Sequence, residues 1–370
     1  MRSRSPFLRT GAVKKVLRRR AKAADLLVEV GGRQEQAVNY EDLTGKAAVG
    51  DSVLLNVSAV SLGLGTGGRH IVVANLTRPE TDVRTSGRGM KLRYSPFQRP
   101  VELVEEAHPE AFSAPGRLEG MPVILASLHS LAVACVIGLR WLKQEARVAF
   151  LMDDSASLVA GFGDALGRVE KRGMATTITV GQAFGGQIEA VNVYSGLLAA
   201  RHVVGAEVAV VGPGPGHLGT GTSYGFSSIS MVEAANAAGA LGGTPVLVPR
   251  LSFADPRKRH RGVSHHTLTL LSLCLSPLLV PFPLLSEGQK EEIAGPWRGL
   301  GAKHRQLFAD GGFIGEALED FGGLSSMGRS YSDDPCFFEA AGAAARVAVD
   351  MGNRREQRGA PTRGITRTYS

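Results

Sequence analysis

A chain of 370 residues, 44% apolar and 21% charged, has the balance of a folded globular protein and the length for two or three domains, which excludes low-complexity and collagen-like classes. The net charge of +8 sits at the ends: residues 1–22 carry nine Lys or Arg and no acid, residues 351–370 carry five Arg and one Glu, and the body between them sums to −5. That distribution argues against a basic face on the folded body, and leaves nucleic acid a weak candidate partner, through the β-rich start and the basic termini. Three widely spaced cysteines, Cys135, Cys274 and Cys336, with no CxxC pair, point to reduced thiols in a cytoplasmic protein, and the basic start lacks the apolar core of a signal peptide.

In chain order, residues 1–10 are expected to be a basic disordered start. Residues 11–76 hold five short runs rich in Val and Leu, separated by Gly or Asp turns: GAVKKVL, ADLLVEV, QEQAVNY, GDSVLLNVS and RHIVVANL. Five such strands in so short a stretch predict a small β-barrel-like domain of the SH3 or OB kind. Nucleic-acid-binding barrels carry stacking aromatics, and this stretch offers only Tyr40, so a structural or docking barrel is the preferred reading. Residues 77–119 read as an irregular connection whose Arg and Lys residues either rim a site or keep the loop soluble.

From Gly120 to residue 350 the pattern becomes α/β. Apolar runs at 122–128, 147–152, 176–180, 207–211 and 245–249 alternate with stretches of helical period. Uninterrupted apolar strands are buried on both faces, which predicts a mainly parallel, doubly wound, Rossmann-like sheet covered by helices. Neither long apolar segment suits a membrane span. Residues 121–142 divide into a strand and a helix at His129, and residues 268–285 contain Pro277, Pro281 and Pro283. Helices are expected over 315–321 and from Pro335, with Asp334 as its cap. Residues 351–370 are expected to be a basic disordered tail.

Open α/β sheets bind ligands beyond the carboxyl ends of their strands, and here those ends are polar or glycine-rich. They offer His129 and Ser130, then Asp153 and Asp154, then Gln182, then GPGPGHLGTGTSYGFS, and finally Arg250 followed by SFADPRKRHRGVSHH. Bare amides at Gly212, Gly214, Gly216, Gly219 and Gly221, with the hydroxyls of Thr220 and Thr222, can form an anion nest ahead of a helix. The loop is neither a Walker sequence nor a GxGxxG, so it indicates an anion without naming a cofactor. Arg250, Arg257, Arg259 and Arg261 can neutralise phosphate or carboxylate. Asp255, His260, His265 and His266 supply acid, base or ligand groups, and His129 and Asp154 join His265 or His266 as catalytic candidates. Neighbouring histidines on a helix diverge by about 100°, so only one of His265 and His266 is expected at a given site. A divalent metal on His129, Asp154 and one of these would need three elements to converge. The loop 324–330, with Arg329, is placed to close over the site.

At TVGQAFGGQIEAV, GLLAARH, GPGPGHLGTGTSYGFS, ADPRKRHRGVSHHT and LSSMGRSYSDDPCFFEAA the chain resembles a bacterial family designated domain of unknown function 3866. The likeness extends to GDSVLLN and LGLGTGG in the β-rich start. It implies no activity, but it favours the glycine loop and the Arg/His segment as sites. The resemblance leaves position 217 variable, so His217 is set aside. Its pattern near MDDSAS is closer to Asp-Gly-Gly, which favours Asp154 over Asp153, and the basic tail is peculiar to this chain. The preferred reading is a cytoplasmic enzyme for a small phosphorylated or carboxylated ligand, hydrolase or transferase. The alternatives are a non-catalytic sensor or adaptor, and a nucleic-acid-binding protein.

Overall fold

A computed structural model describes residues 5–20, 22–64, 67–82, 87–112 and 117–359. Strands β1 (Leu8–Arg19), β2 (Ala23–Val30), β3 (Arg33–Tyr40), β4 (Ser52–Asn56) and β5 (Arg69–Asn75) close into a barrel of order β1-β2-β3-β5-β4. Alternation drives closure: in β2, Leu26 and Val28 point inward beside Val13, Val53, Leu55 and Val72, while the residues between them are more exposed. Single helical turns α1 (Glu41–Thr44) and α2 (Ser58–Ser61) link its strands.

The expected disordered start is corrected at its end: Leu8–Thr10 are strand residues paired with β4. Residues 1–4 lie outside the described residues. The basic charges that follow are largely engaged by the protein itself. Arg20 donates to Asp25 and to the carbonyls of Gly161 and Phe162, Lys22 donates to the Gly185 carbonyl, and Arg18 pairs with Asp164. Tyr40 is buried at the same junction with its ring 6.3 Å from that of Phe162.

The connection is only partly irregular. It holds a short hairpin, β6 (Gly89–Lys91) with β7 (Arg99–Val101), and the turn α3 (Val104–Ala107). Lys91 is buried and donates to the carbonyls of Thr179 (3.3 Å), Ala183 (3.0 Å) and Ala190 (2.8 Å), with Glu189 3.6 Å away. It fastens the hairpin to the sheet instead of keeping a loop soluble.

The α/β domain runs β8 (Pro122–Leu125), α4 (His129–Leu142), β9 (Val148–Asp153), α5 (Asp164–Lys171), β10 (Thr176–Thr179), β11 (Ile188–Glu189), α6 (Val193–His202), β12 (Val208–Pro213), α7 (Met231–Ala240) and β13 (Thr244–Leu247). A two-residue hairpin, β14 (Leu251–Ser252) with β15 (Gly262–Val263), precedes α8 (His265–Leu273), β16 (Leu279–Phe282), α9 (Glu287–Trp297), β17 (Arg305–Phe308), α10 (Ile314–Asp320) and α11 (Pro335–Gly359). The sheet is parallel throughout, of order β11-β10-β9-β12-β8-β13-β16-β17. Every residue of β8, β9 and β12 is buried, as continuous apolar strands require.

The barrel followed by a Rossmann-like sheet is the architecture expected from the sequence, with three strands more than the five apolar runs indicated. The expected disordered tail is corrected too: α11 continues through Gly359, and residues 360–370 lie outside the described residues. No helix among the described residues is long and apolar enough to cross a membrane.

Helices α4, α5, α10 and α11 pack against one another on one face, and α6, α7 and α8 on the other. The chain leaves β8 toward one edge and β12 toward the opposite edge, so right-handed crossovers send their helices to opposite faces. A crevice therefore opens beyond the carboxyl ends of β12, β8 and β13.

Candidate functional site

That crevice holds a cavity of about 310 Å³. Leu128 enters it after β8, His217, Gly219 and Gly221 after β12, and Arg250, Arg257, Arg259, His260 and His266 after β13; Met327 covers it. The glycine loop and the Arg/His segment thus share one wall. A Cβ on Gly219 would stand 3.4 Å from the His266 ring, and one on Gly221 (φ +84°) 3.7 Å from the Arg259 guanidinium.

The arginines are held by a single buried acid. The Asp255 side chain is fully buried and accepts two bonds from Arg257 (2.9 and 2.7 Å), with Arg329 at 3.4 Å and Arg250 at 3.7 Å. Hydrogen bonds from Arg257 hold its carboxyl well below the usual carboxylate range. Arg329 also reaches Asp334 (3.2 Å), which accepts from Ser252 Oγ at 2.6 Å. Arg250 is 3% exposed, and burial first, then the neighbouring Arg257, lowers its pKa to about 10. Arg259 is exposed and has no acidic or hydrogen-bonding partner among the described residues. Three guanidinium groups therefore line the cavity, and a fourth, Arg329, stands behind them with the carboxylates of Asp255 and Asp334.

The imidazoles form a second cluster. Ser264 caps α8 by accepting the His266 amide (3.3 Å), and the same Oγ lies 2.7 Å from His260 Nδ1. His266 stacks on Phe226, with centroids 4.0 Å apart and planes 9° from parallel. Its ring is 4.3 Å from His265, 5.0 Å from His260 and 5.2 Å from His217. The expected divergence of His265 and His266 is corrected: successive Cβ atoms do diverge around a helix, but in the first turn each ring is long enough to swing back toward its neighbour. Burial is the largest cause lowering all four pKa values. It takes His260 and His266 to about 3 and His217 to about 4, with Arg250 adding repulsion in each case. These rings are neutral at pH 7. His217 Nε2, His265 Nε2 and His266 Nδ1 are buried without hydrogen-bond partners.

Other sequence candidates fall elsewhere. His129 lines a different cavity with Gly67, Arg69, Pro215 and Gly216; its Nδ1 is 3.1 Å from the Pro213 carbonyl, and burial lowers its pKa to about 4. Asp154 lines a third cavity and accepts the Gln182 amide at 2.8 Å, while the Gln182 side chain accepts the Arg93 amide. The expected convergence of His129 and Asp154 with the α8 histidines is therefore corrected. Arg261 turns outward to Glu292 (3.2 Å) and the Phe253 carbonyl (3.0 Å).

Within the glycine loop, Thr220 and Thr222 bond each other and Gly225, so their hydroxyls hold the turn together. Gly212 and Gly214 serve close packing: a Cβ would lie 2.6 Å from Ala132 Cβ at the first and 2.3 Å from the Ser157 carbonyl oxygen at the second. Gly216 takes a positive φ of +101° in open space. His217 and Met327 are lining residues that the sequence reading did not select. The signal for His217 was its place inside the loop, outweighed by the variability attached to that position.

A family model described as Protein of unknown function (DUF3866) matches residues 36–345, which takes in the end of β3 with β4 and β5 of the barrel and every strand of the parallel sheet. No curated protein matches the chain.

Proposed function

The chain belongs to that family of unknown function, and we propose that it is an enzyme acting on a small phosphorylated or carboxylated molecule bound in the crevice beyond β12, β8 and β13. The observation that carries this reading is the charge imbalance at the cavity wall. Arg250, Arg257 and Arg329 share Asp255, while Arg259 stands free beside Gly221. Guanidinium groups in excess of their counter-charges, with Arg250 buried among them, favour an anion that restores the balance. The position at a topological switch point supports it, as do the bare backbone at Gly219 and Gly221. Neutral His217 on the same cavity is suited to accept a proton from a bound substrate.

The nucleic-acid alternative is less favoured, because Tyr40 is packed into the domain junction and the N-terminal arginines are engaged there.

The test is thermal unfolding and calorimetric titration with inorganic phosphate, phosphomonoesters and short carboxylates, on the wild-type chain and on Arg259→Ala. The expected result is stabilisation of the wild type by at least one anion class, with affinity falling about tenfold or more in the variant, the loss of one charge-assisted hydrogen bond. Equal responses of the two proteins to every anion would overturn the reading.

A further inference from the structure

We propose that His260, His265 and His266 form a binding site for a single zinc ion whose open coordination position faces the arginine-lined cavity. One nitrogen from each of these rings lies within 4.8 Å of one from each of the others. Zinc–imidazole bonds of about 2.1 Å set the nitrogens of a tetrahedral site about 3.4 Å apart, so small side-chain torsions close the set.

Three features point to a ligand here. The first is the unpartnered nitrogens. His266 is nearly fully buried, and neither its Nδ1 nor His265 Nε2 has a hydrogen-bond partner. A buried imidazole nitrogen without a partner is a costly arrangement, and coordination would satisfy it. The second is the support around the rings. In the tautomer with His260 Nδ1–H donating to Ser264 Oγ, its Nε2 presents a lone pair, and Ser264 acts as the outer hydrogen-bond partner that metal-bound histidines characteristically have. Stacking on Phe226 fixes His266. The third is the chemistry of the donors. Three imidazoles without thiolate or carboxylate suit zinc, and leave one of its four positions open.

The charge around the site then determines what fills that position. Three neutral imidazoles leave the ion's charge uncompensated, and Arg250 and Arg259 line the same cavity as His260 and His266. A cation here needs an anionic fourth ligand. A phosphate or carboxylate oxygen bridging zinc and guanidinium supplies it, so zinc and anion bind with positive coupling. This last step rests on the anion-binding reading above; the zinc site itself does not.

The experiment uses the full chain, stripped with a chelator and titrated with zinc chloride by calorimetry and chelator competition, in chloride and then in inorganic phosphate. One zinc per chain is expected. Affinity should fall about a hundredfold in His265→Ala and in His266→Asn, and stay unchanged in His202→Ala, which alters a histidine elsewhere. Cobalt(II) added to the wild type should give the visible spectrum of a four-coordinate, nitrogen-ligated site, a readout that needs no variant to fold.

Zinc affinity in phosphate should exceed that in chloride by about tenfold or more. Zinc binding equally well to His265→Ala, or a cobalt spectrum of a six-coordinate aquo ion, would overturn the metal site. Zinc binding without the phosphate effect would overturn the shared fourth position. Phosphate binding to the metal-free chain tests the anion pocket separately.

Discussion

Replacing Asp255 with Asn probes the arginine cluster directly. The substitution keeps the volume and the acceptor for the Arg257 amide, which is 3.0 Å away, and removes the one charge shared by three guanidinium groups. Breaking a buried ion pair by neutralising one partner costs about 3–5 kcal/mol. Arg257 is 42% exposed at its side chain and can turn to solvent, but Arg250 at 3% cannot, so the lower end, about 3 kcal/mol, is expected.

Phosphate should then return part of the loss, because an anion in the cavity replaces the missing counter-charge. If the variant binds phosphate tenfold more tightly, saturating phosphate stabilises it by about 1.4 kcal/mol more than the parent. The assay is urea unfolding of both proteins, followed through Trp141 and Trp297 fluorescence, in chloride and in phosphate at matched ionic strength. A variant as stable as its parent in chloride, or one gaining no more from phosphate, would refute the view that Asp255 holds uncompensated positive charge at an anion site.

Acid should weaken the fold from an unusually high pH. His260 and His266 have folded pKa values of about 3 against 6.5 when unfolded, so below pH 6.5 the unfolded chain takes up protons that the folded one refuses. Stability of the metal-free chain is full above 6.5 and falls by about 1.4 kcal/mol per pH unit per histidine; unfolding free energies from urea titrations at pH 7.5 and pH 5 should differ by about 4 kcal/mol for the pair, and a flat profile would contradict their burial as neutral rings. Lys91→Met strands three carbonyls and leaves Glu189 without its cation, so it should cost about 3 kcal/mol or more in the same assay. Gly214→Ala drives a methyl to 2.3 Å from the Ser157 carbonyl oxygen and should cost about 1–3 kcal/mol, whereas Gly216→Ala, which adds its methyl in open space, should pay only backbone strain.

The barrel strands were legible because alternation and Gly or Asp turns are local properties. The five apolar strands were legible because burial on both faces leaves no polar residue in β8 or β12. The other strands lacked those signals. β16 carries Pro281 within four residues, β17 reads Arg-Gln-Leu-Phe at an edge, and β11 is two residues long. In the site, the polarity of 250–266 and the glycines of 212–225 marked the crevice. The sequence could not say that His129 and Asp154 open into other cavities, since that depends on which side of its strand each loop leaves. Nor could spacing around a helix reveal that His265 and His266 meet, because ring reach and the Phe226 surface decide it. Asp334 looked sufficient as a helix cap; its carboxylate instead goes to Ser252 and Arg329.

That last contact has a consequence for how the protein is made. Asp334 opens α11, which lies along α4 and under β16, and it braces Arg329, which in turn steadies Asp255. A ribosome that has delivered everything through Arg261 has supplied most of the crevice lining, yet the brace that orients it is still unsynthesised. The crevice can assume its finished shape only after α11 has emerged and docked, so the nascent chain carries an unfinished, strongly cationic pocket while the residues from 262 through α11 are being made.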